Sequence, residues 1–84
     1  MRPNMLTKEI MGFRVLFQPV LNGYTVAVSD GKNVKRIPLL PDIVQVERTM
    51  DALDRTEIDG NTSLEYFSMI VAGCLSLNMK RVFG

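Results

Sequence analysis

Few residues of this chain can act as a nucleophile or a general base. The sequence has one cysteine, Cys74, and no histidine, so the commonest general base and transition-metal ligand is missing. Cys74 falls within an apolar segment, where burial raises the pKa of a thiol and leaves it inert. Three carboxylates, Glu47, Asp51 and Asp54, can share one helix face, but no glycine-rich phosphate loop accompanies them. We therefore expect no enzymatic activity and no cofactor.

An acidic stretch over residues 54–61 offers the oxygen ligands that Ca²⁺ prefers. When Gly60 is set at the turn position of an EF-hand loop, the first ligand position falls on Arg55 and the twelfth on Tyr66. Neither side chain is a carboxylate, which is what an EF-hand loop carries at those positions. We expect a solvated acidic loop and no metal site.

Basic residues in the first half of the chain are candidates for contact with a nucleic acid or phosphate. They lie on the predicted outer face of a sheet, or at its loop: Arg14, Gln18, Lys32, Lys35 and Arg36. An antiparallel sheet can place such a face in a DNA groove. The net charge of only +1 argues against this, because phosphate binding depends on cationic charge. Two alternatives stay open: a nucleic-acid-binding domain, or an oligomer that sequesters a phosphorylated small molecule.

The charges are divided along the chain. Residues 1–40 carry six basic and two acidic side chains, which is +4, and residues 41–65 carry two basic and seven acidic ones, which is −5. Opposite poles can attract a second copy or a charged partner. The acidic segment supplies the predicted partner-contact residues, which are Met50, Asp51, Asp54 and Glu57.

Three strands are predicted between residues 12 and 40, because apolar residues alternate with polar ones there. The Asn22-Gly23 pair predicts a two-residue hairpin turn, which sets Phe17 opposite Val28. Pro19 has no N–H to donate, so this pairing needs a bulge or wider loop over residues 19–23, or an edge position for the first strand. A four-residue loop over residues 30–33 then sets Ile37 opposite Val26 and Leu39 opposite Tyr24.

The segment 41–54 favours a helix with Pro41 in its first turn. Its apolar residues recur at spacings of three and four: Ile43, Val46, Met50 and Leu53. The β-branched run over residues 43–47 leaves a second interpretation open, in which a short strand precedes a helix that begins at Thr49.

The clearest helix signal comes last. Thr62 and Glu65 have the spacing of a capping box, and a helix is predicted over residues 63–79. Leu64, Phe67, Val71 and Leu75 fall on one face, and Tyr66, Ile70, Cys74 and Leu77 fall on another. A sheet can cover only one of these faces. We therefore predict a homo-oligomer interface that includes Leu64, Tyr66, Ile70 and Leu77.

These observations predict one α+β domain over residues 1–84, with a three-stranded antiparallel meander followed by two helices and the C-terminal helix packed on the sheet. Residues 1–9 lie outside the predicted elements and are open to disorder. A chain of this length buries one modest core. Its apolar helix core of about a dozen residues is shorter than the roughly 20 that cross a bilayer, and its N-terminus lacks a signal-peptide core.

The functional expectation is a small non-enzymatic protein-binding module that acts as a homodimer in the cytoplasm. Its expected partner is a host or cellular protein, and no membrane association is expected. Small virus-encoded inhibitors and accessory proteins work in this way, by occupying a surface on a larger partner.

Overall fold

The computed structural model describes residues 5–83, with side chains through Leu77, and has an α+β fold. Four strands precede two helices, and the antiparallel sheet has the order β1-β2-β3-β4. The elements are β1 (Leu6–Ile10), β2 (Phe13–Val20), β3 (Gly23–Ser29), β4 (Val34–Ile37), α1 (Ile43–Asp54) and α2 (Leu64–Phe83). The meander followed by two helices is as predicted, with one additional strand at its start.

Strand β1 corrects the prediction of three strands. Leu6 pairs with Phe17 and Ile10 with Phe13, so part of the segment expected outside the elements belongs to the sheet. The connecting turn is Met11-Gly12, with φ values of 48° and 87°. Such turns favour Asn or Asp before Gly. Methionine in the left-handed region gives no such signal, and the hairpin was therefore missed.

The predicted register between β2 and β3 is wrong by two residues. Phe17 pairs with Val26, and Val20 pairs with Gly23, so that Leu21 and Asn22 form the loop. A shift of two keeps every side chain on its predicted face. The cause is a close approach, because a Cβ on Gly23 would lie 2.6 Å from the carbonyl oxygen of Pro41. Glycine is needed there for packing against the start of α1, and the residue sits in the strand.

Pro19 is accommodated without a bulge. It pairs with Tyr24, whose N–H donates a 2.9 Å hydrogen bond to Pro41 O and therefore points away from β2. This pairing therefore does not require a backbone N–H at Pro19. Strand β1 begins at Leu6, opposite Phe17, so among the described residues no strand lies beside Pro19 on that side of β2. Of the predicted alternatives, the bulge is not observed.

The pairing of β4 confirms one predicted contact and corrects another. Ile37 lies opposite Val26, and a four-residue loop precedes Val34, as predicted. Leu39 is not paired with Tyr24, because β4 ends at Ile37 and Pro41 takes the Tyr24 amide.

The loop over residues 30–33 is held by its first side chain. Asp30 Oδ1 accepts hydrogen bonds from the N–H groups of Asn33 at 2.8 Å and Lys32 at 2.9 Å. These two bonds stabilise the carboxylate and lower the pKa of Asp30.

Helix α1 confirms the helical interpretation of residues 43–54, but its buried face differs from the predicted one. Asp42 is the N-cap and forms a capping box with Gln45, with both hydrogen bonds at 2.8 Å, so Pro41 precedes the helix. Gln45 can be buried because its Oε1 accepts from the Asp42 amide. Ile43 is exposed, and the buried residues of the helix are Gln45, Val46, Thr49 and Leu53.

Helix α2 begins one residue later than the sequence predicted. Ser63 Oγ accepts a 3.0 Å hydrogen bond from the Tyr66 N–H, which is the N-cap role expected of Thr62. The Thr62 hydroxyl instead donates to Asp59 Oδ1 at 3.2 Å within the loop. The predicted Thr62–Glu65 capping box is therefore wrong, and the helix extends to Phe83.

Both helices pack on the same face of the sheet, α1 against β1 and β3, and α2 against β3 and β4. Phe13 of β2 stacks on Phe67 of α2, with ring centroids 4.5 Å apart. The buried core is Phe13, Val15, Phe17, Val26, Val28, Ile37, Val46, Leu53, Ile58, Phe67, Val71 and Leu75. The other face of the sheet carries Leu16 and Ala27 near its centre, half-buried.

Candidate interaction surfaces

The two apolar faces of α2 have different environments. Phe67, Val71 and Leu75 are fully buried against the sheet and α1, as predicted, and Leu64 packs at their edge. On the opposite side Tyr66 is 59% exposed, Met69 66% and Leu77 68%. We call the stripe of Tyr66, Met69, Ile70, Gly73 and Leu77 the open face of α2.

Gly73 lies in the middle of this open face. A Cβ at Gly73 would meet nothing within 4 Å apart from its chain neighbours and its own helix's nearby backbone, so packing within the monomer does not require glycine. A glycine inside a helix lowers stability by roughly 0.5–1 kcal/mol relative to alanine. The open face is therefore flat at its centre, where another backbone could approach closely.

Of the predicted oligomer residues, Tyr66 and Leu77 are exposed, and Leu64 and Ile70 are half-buried. Met69 was not among them, although it is as exposed as Leu77. It recurs with Tyr66 and Leu77 at helical spacing, and this signal could have identified it. Cys74 borders the face, and burial raises the pKa of its thiol.

A second apolar surface occupies the end of the molecule where the β2–β3 loop meets the start of α1. Leu21 in that loop is 98% exposed. A Cβ on Gly23 would lie 3.5 Å from Leu40 Cγ, which brings the loop and residues 40–44 together. We call this surface the aliphatic end patch, and its members are Val20, Leu21, Leu40, Ile43 and Val44, all of them exposed.

The aliphatic end patch contains one charged residue in its sequence segments, Asp42, whose Oδ1 caps the Gln45 N–H. Glu47 and Asp51, also exposed, follow Ile43 and Val44 along the solvent side of α1. The surface thus changes from aliphatic to mainly acidic over about two helical turns, with Arg48 as the one basic residue exposed among residues 42–51. The sequence did not identify Leu21, because a turn at Asn22-Gly23 would pair it with Tyr24, whereas the structure places it in the loop.

The predicted partner-contact residues lie in different settings. Met50 is half-buried and packs against the core, whereas Asp51 is exposed on α1. Asp54 forms an ion pair with Lys8 of β1. Glu57 is exposed in the connector between the helices, beside Met11 and Asp59.

The predicted phosphate-contact residues do not form one cluster. Arg14, Gln18 and Arg36 share the outer face of the sheet by register. Arg14 Nε donates to Glu9 Oε1 at 3.0 Å on that face, so its charge is already partnered. Lys32 lies in the exposed loop before β4.

Lys35, expected at the loop, is instead part of β4 on the helix-facing side. It pairs with Val28, and its Nζ lies 3.6 Å from Glu65 Oε1 at the start of α2. The five residues therefore do not form a single cationic surface.

Within residues 5–77 no group of three or more histidine, cysteine, aspartate or glutamate side chains is arranged to hold a metal ion. None of the helices in the described part of the chain is long and apolar enough to cross a membrane.

Comparisons with protein-family models, with curated proteins and with solved structures found no match to this chain. The binding properties of this chain are therefore inferred from its own surfaces.

Proposed function

We propose that this protein is a small non-enzymatic protein-binding module with two docking surfaces. The aliphatic end patch binds a partner protein, and the open face of α2 binds a second copy of the chain. In this role the module acts as an accessory or inhibitory protein that occupies a surface of a larger partner.

One observation carries the partner-binding part of the proposal: Leu21 is 98% exposed at a hairpin tip, and this hairpin packs against the segment that carries the exposed Leu40, Ile43 and Val44. Single exposed apolar residues are common, but a group of them at one end of a domain is typical of an interaction site. A leucine that projects from a two-residue loop can insert into an apolar pocket of a partner, and full burial of a leucine side chain contributes about 1.5–3 kcal/mol.

The charges beside the patch define the chemistry of the partner. Glu47 and Asp51 continue from the patch along α1, so a partner groove with an apolar floor and a basic rim would be complementary. The same acidic charges disfavour an anionic membrane surface, which attracts basic residues. The chemistry of the patch therefore supports binding to a groove on a partner protein.

The experiment compares two substitutions of exposed aliphatic residues at opposite ends of the sheet. Leu21→Ser changes the end patch, and Val34→Ser is the matched control, because Val34 is also exposed, at 64%, but follows the β3–β4 loop. Partners captured by the wild-type protein are identified and purified, and their affinities for all three proteins are measured by calorimetry.

We expect Leu21→Ser to weaken binding about tenfold or more, which corresponds to at least about 1.4 kcal/mol, while Val34→Ser binds like the wild type. Charge reversal at Asp51 should slow association, with the difference decreasing at high salt. Equal binding by the two serine variants would overturn the assignment of the patch. Recovery of the wild-type protein with bound nucleic acid, lost on Arg36→Ala, would favour the alternative function.

A further inference from the structure

We propose that the open edge of β4 binds an extended acidic segment of a partner protein, which pairs with β4 and adds one strand to the sheet. Extended peptides are recognised in this way through backbone hydrogen bonds, while pockets for alternate side chains give specificity. The site uses no residue of the aliphatic end patch, so it is a further docking surface.

The backbone of β4 carries hydrogen-bonding groups that point away from the sheet. Asn33 O accepts a 3.2 Å hydrogen bond from the Asp30 N–H, so residue 33 directs its backbone groups toward β3. These groups alternate in direction along an antiparallel strand. The N–H and C=O groups of Val34 and Arg36 therefore point away from β3, and among the described residues no strand lies on that side.

The space beside this edge is open. A cavity of about 190 Å³, mainly apolar, separates β4 from α2. Residues 35–38 line it on one side, and Ser68, Met69 and Ala72 line it on the other. Alternate side chains of an added strand would point toward α2, so an apolar side chain on that strand would fill the cavity.

The charges on β4 are incompletely matched within the monomer. Arg36 is exposed on the outer face and forms no ion pair with the described residues. The Lys35 side chain stays 46% exposed although its Nζ lies 3.6 Å from Glu65 Oε1. The edge is therefore cationic and attracts a strand that carries carboxylates.

The opposite edge of the sheet, β1, does not share this property. Lys8 of β1 pairs with Asp54, and Glu9 pairs with Arg14. The charges of β1 are thus matched within the monomer, and charge complementarity points to β4.

The same cationic charges act against a second copy of the chain. Antiparallel pairing of two β4 edges centred on Lys35 or Arg36 would place basic side chains opposite each other, which is destabilising. Charged side chains on edge strands commonly prevent association of a sheet with its own copies. An acidic strand of another protein meets attraction where a second copy meets repulsion.

The two faces of β4 define the sequence pattern of the occupant. Lys35 and Ile37 lie on the helix-facing side, and Arg36 lies on the outer side. Directly opposite residues of paired strands point to the same face. The side chains opposite Ile37 and the Lys35 stem should therefore be apolar, and the one opposite Arg36 should be acidic, which is an alternating pattern.

The first test uses a fluorescein-labelled hexapeptide of alternating valine and glutamate, with binding measured by fluorescence anisotropy. Replacement of its glutamates by lysines should weaken binding about tenfold or more. N-methylation of the glutamates should abolish binding, because the residue opposite Arg36 directs its N–H toward β4. N-methylation of the valines, whose N–H groups face away from β4, should leave binding unchanged.

The second test locates the site on the protein. Arg36→Glu should weaken binding of the glutamate peptide about tenfold or more and strengthen binding of the lysine peptide. Arg48→Glu is the matched control, because it makes the same charge change on the exposed side of α1 and should bind like the wild type. Circular dichroism should show that both variants fold.

Hydrogen exchange measured by NMR provides a readout at the backbone itself. Binding of the glutamate peptide should slow exchange of the Val34 and Arg36 N–H groups, because they gain hydrogen bonds. Exchange at Lys35 should change little, because its N–H already faces β3.

Several results would overturn the site at β4. These are equal weakening by Arg36→Glu and Arg48→Glu, equal binding of the two N-methylated peptides, unchanged exchange at Val34 and Arg36, or no binding of the glutamate peptide to the wild-type protein. Loss of peptide binding in Leu21→Ser would place the peptide at the aliphatic end patch and would also overturn the site. Binding of a partner at that patch is decided separately, by the comparison of Leu21→Ser with Val34→Ser.

Discussion

The two helices cover the same face of the sheet but differ in what they show to solvent. Helix α1 has a capping box at its start and presents Glu47, Arg48 and Asp51 outward. Helix α2 buries Phe67, Val71 and Leu75 completely and presents Tyr66, Met69 and Leu77 outward. A charged outer face is complete in water, whereas an apolar one is not. Beyond its first turn, where Ile43 and Val44 are exposed, α1 therefore needs no partner to cover it, whereas α2 exposes apolar side chains from Tyr66 to Leu77.

The largest effect on the free energy of unfolding should distinguish alanine variants of two leucines on opposite sides of α2. Leu75 is fully buried and Leu77 is 68% exposed. Leu75→Ala should lower the free energy of unfolding by about 2–5 kcal/mol, because it removes core contacts and leaves a cavity. Leu77→Ala should change it by less than about 0.5 kcal/mol. Urea unfolding at a protein concentration that keeps the chain monomeric measures both.

Leu77→Ala should instead weaken the proposed dimer, because Leu77 lies on the open face of α2. Similar losses of monomer stability in the two variants would mean that the two faces of α2 contribute equally to the stability of the monomer, which would contradict the difference in their burial.

The second largest effect on stability should come from the contact between Gly23 and Pro41, which holds the start of α1 against the sheet. Gly23 has a φ of 147° and lies against the Pro41 carbonyl, so Gly23→Ala should cost about 1–3 kcal/mol from strain and displacement. Gly60→Ala is the control, because a Cβ there meets nothing within 4 Å and its φ lies outside the left-handed range. Thermal unfolding should show a lower midpoint for the first variant only.

A smaller effect should distinguish the two helix starts. Asp42 takes part in a capping box with two hydrogen bonds, whereas the Ser63 hydroxyl accepts a single one. Replacement of an N-cap residue by alanine costs about 0.5–2 kcal/mol. We expect Asp42→Ala near the upper part of this range and Ser63→Ala near the lower part in chemical denaturation. The reverse order would mean that the start of α2 depends more strongly on its N-cap hydrogen bond than the start of α1 does.

The smallest effect should come from the ion pairs that join each helix to an edge strand. Lys8 of β1 pairs with Asp54 of α1, and Lys35 of β4 pairs with Glu65 of α2. The Lys8 side chain is 23% exposed and that of Lys35 is 46% exposed. Lys8→Met should therefore lower stability by up to about 1 kcal/mol, and Lys35→Met by less. Both differences should decrease at high salt, and a salt-independent loss would point to packing of the lysine stems.

Much of the fold could be predicted from the sequence because it follows from local patterns. The alternation in β2 and β3 and the three- and four-residue spacing in both helices depend only on which residues must be buried. The contact between Ile37 and Val26 also followed, since Asp30 closes a loop of defined length. These features need no information about distant parts of the chain.

The candidate interaction surfaces were predictable only in part. Helical spacing predicted that Tyr66 and Leu77 are not covered by the sheet, and both are exposed. Leu21 was not identified, because its exposure depends on a register that a neighbouring segment sets. The supposed grouping of Lys35 with Arg14 and Arg36 failed for the same kind of reason, since its face depends on where β4 pairs.

The sequence by itself determined that this chain forms an antiparallel meander with two helices and that the last helix is apolar on two sides, because side-chain periodicity fixes which faces avoid water. Tertiary structure alone decided the register at Gly23, the burial of Gln45 and the exposure of Leu21. Each depends on the approach of Pro41 to β3 or on the cap at Asp42, and these are contacts between segments whose geometry no local pattern encodes.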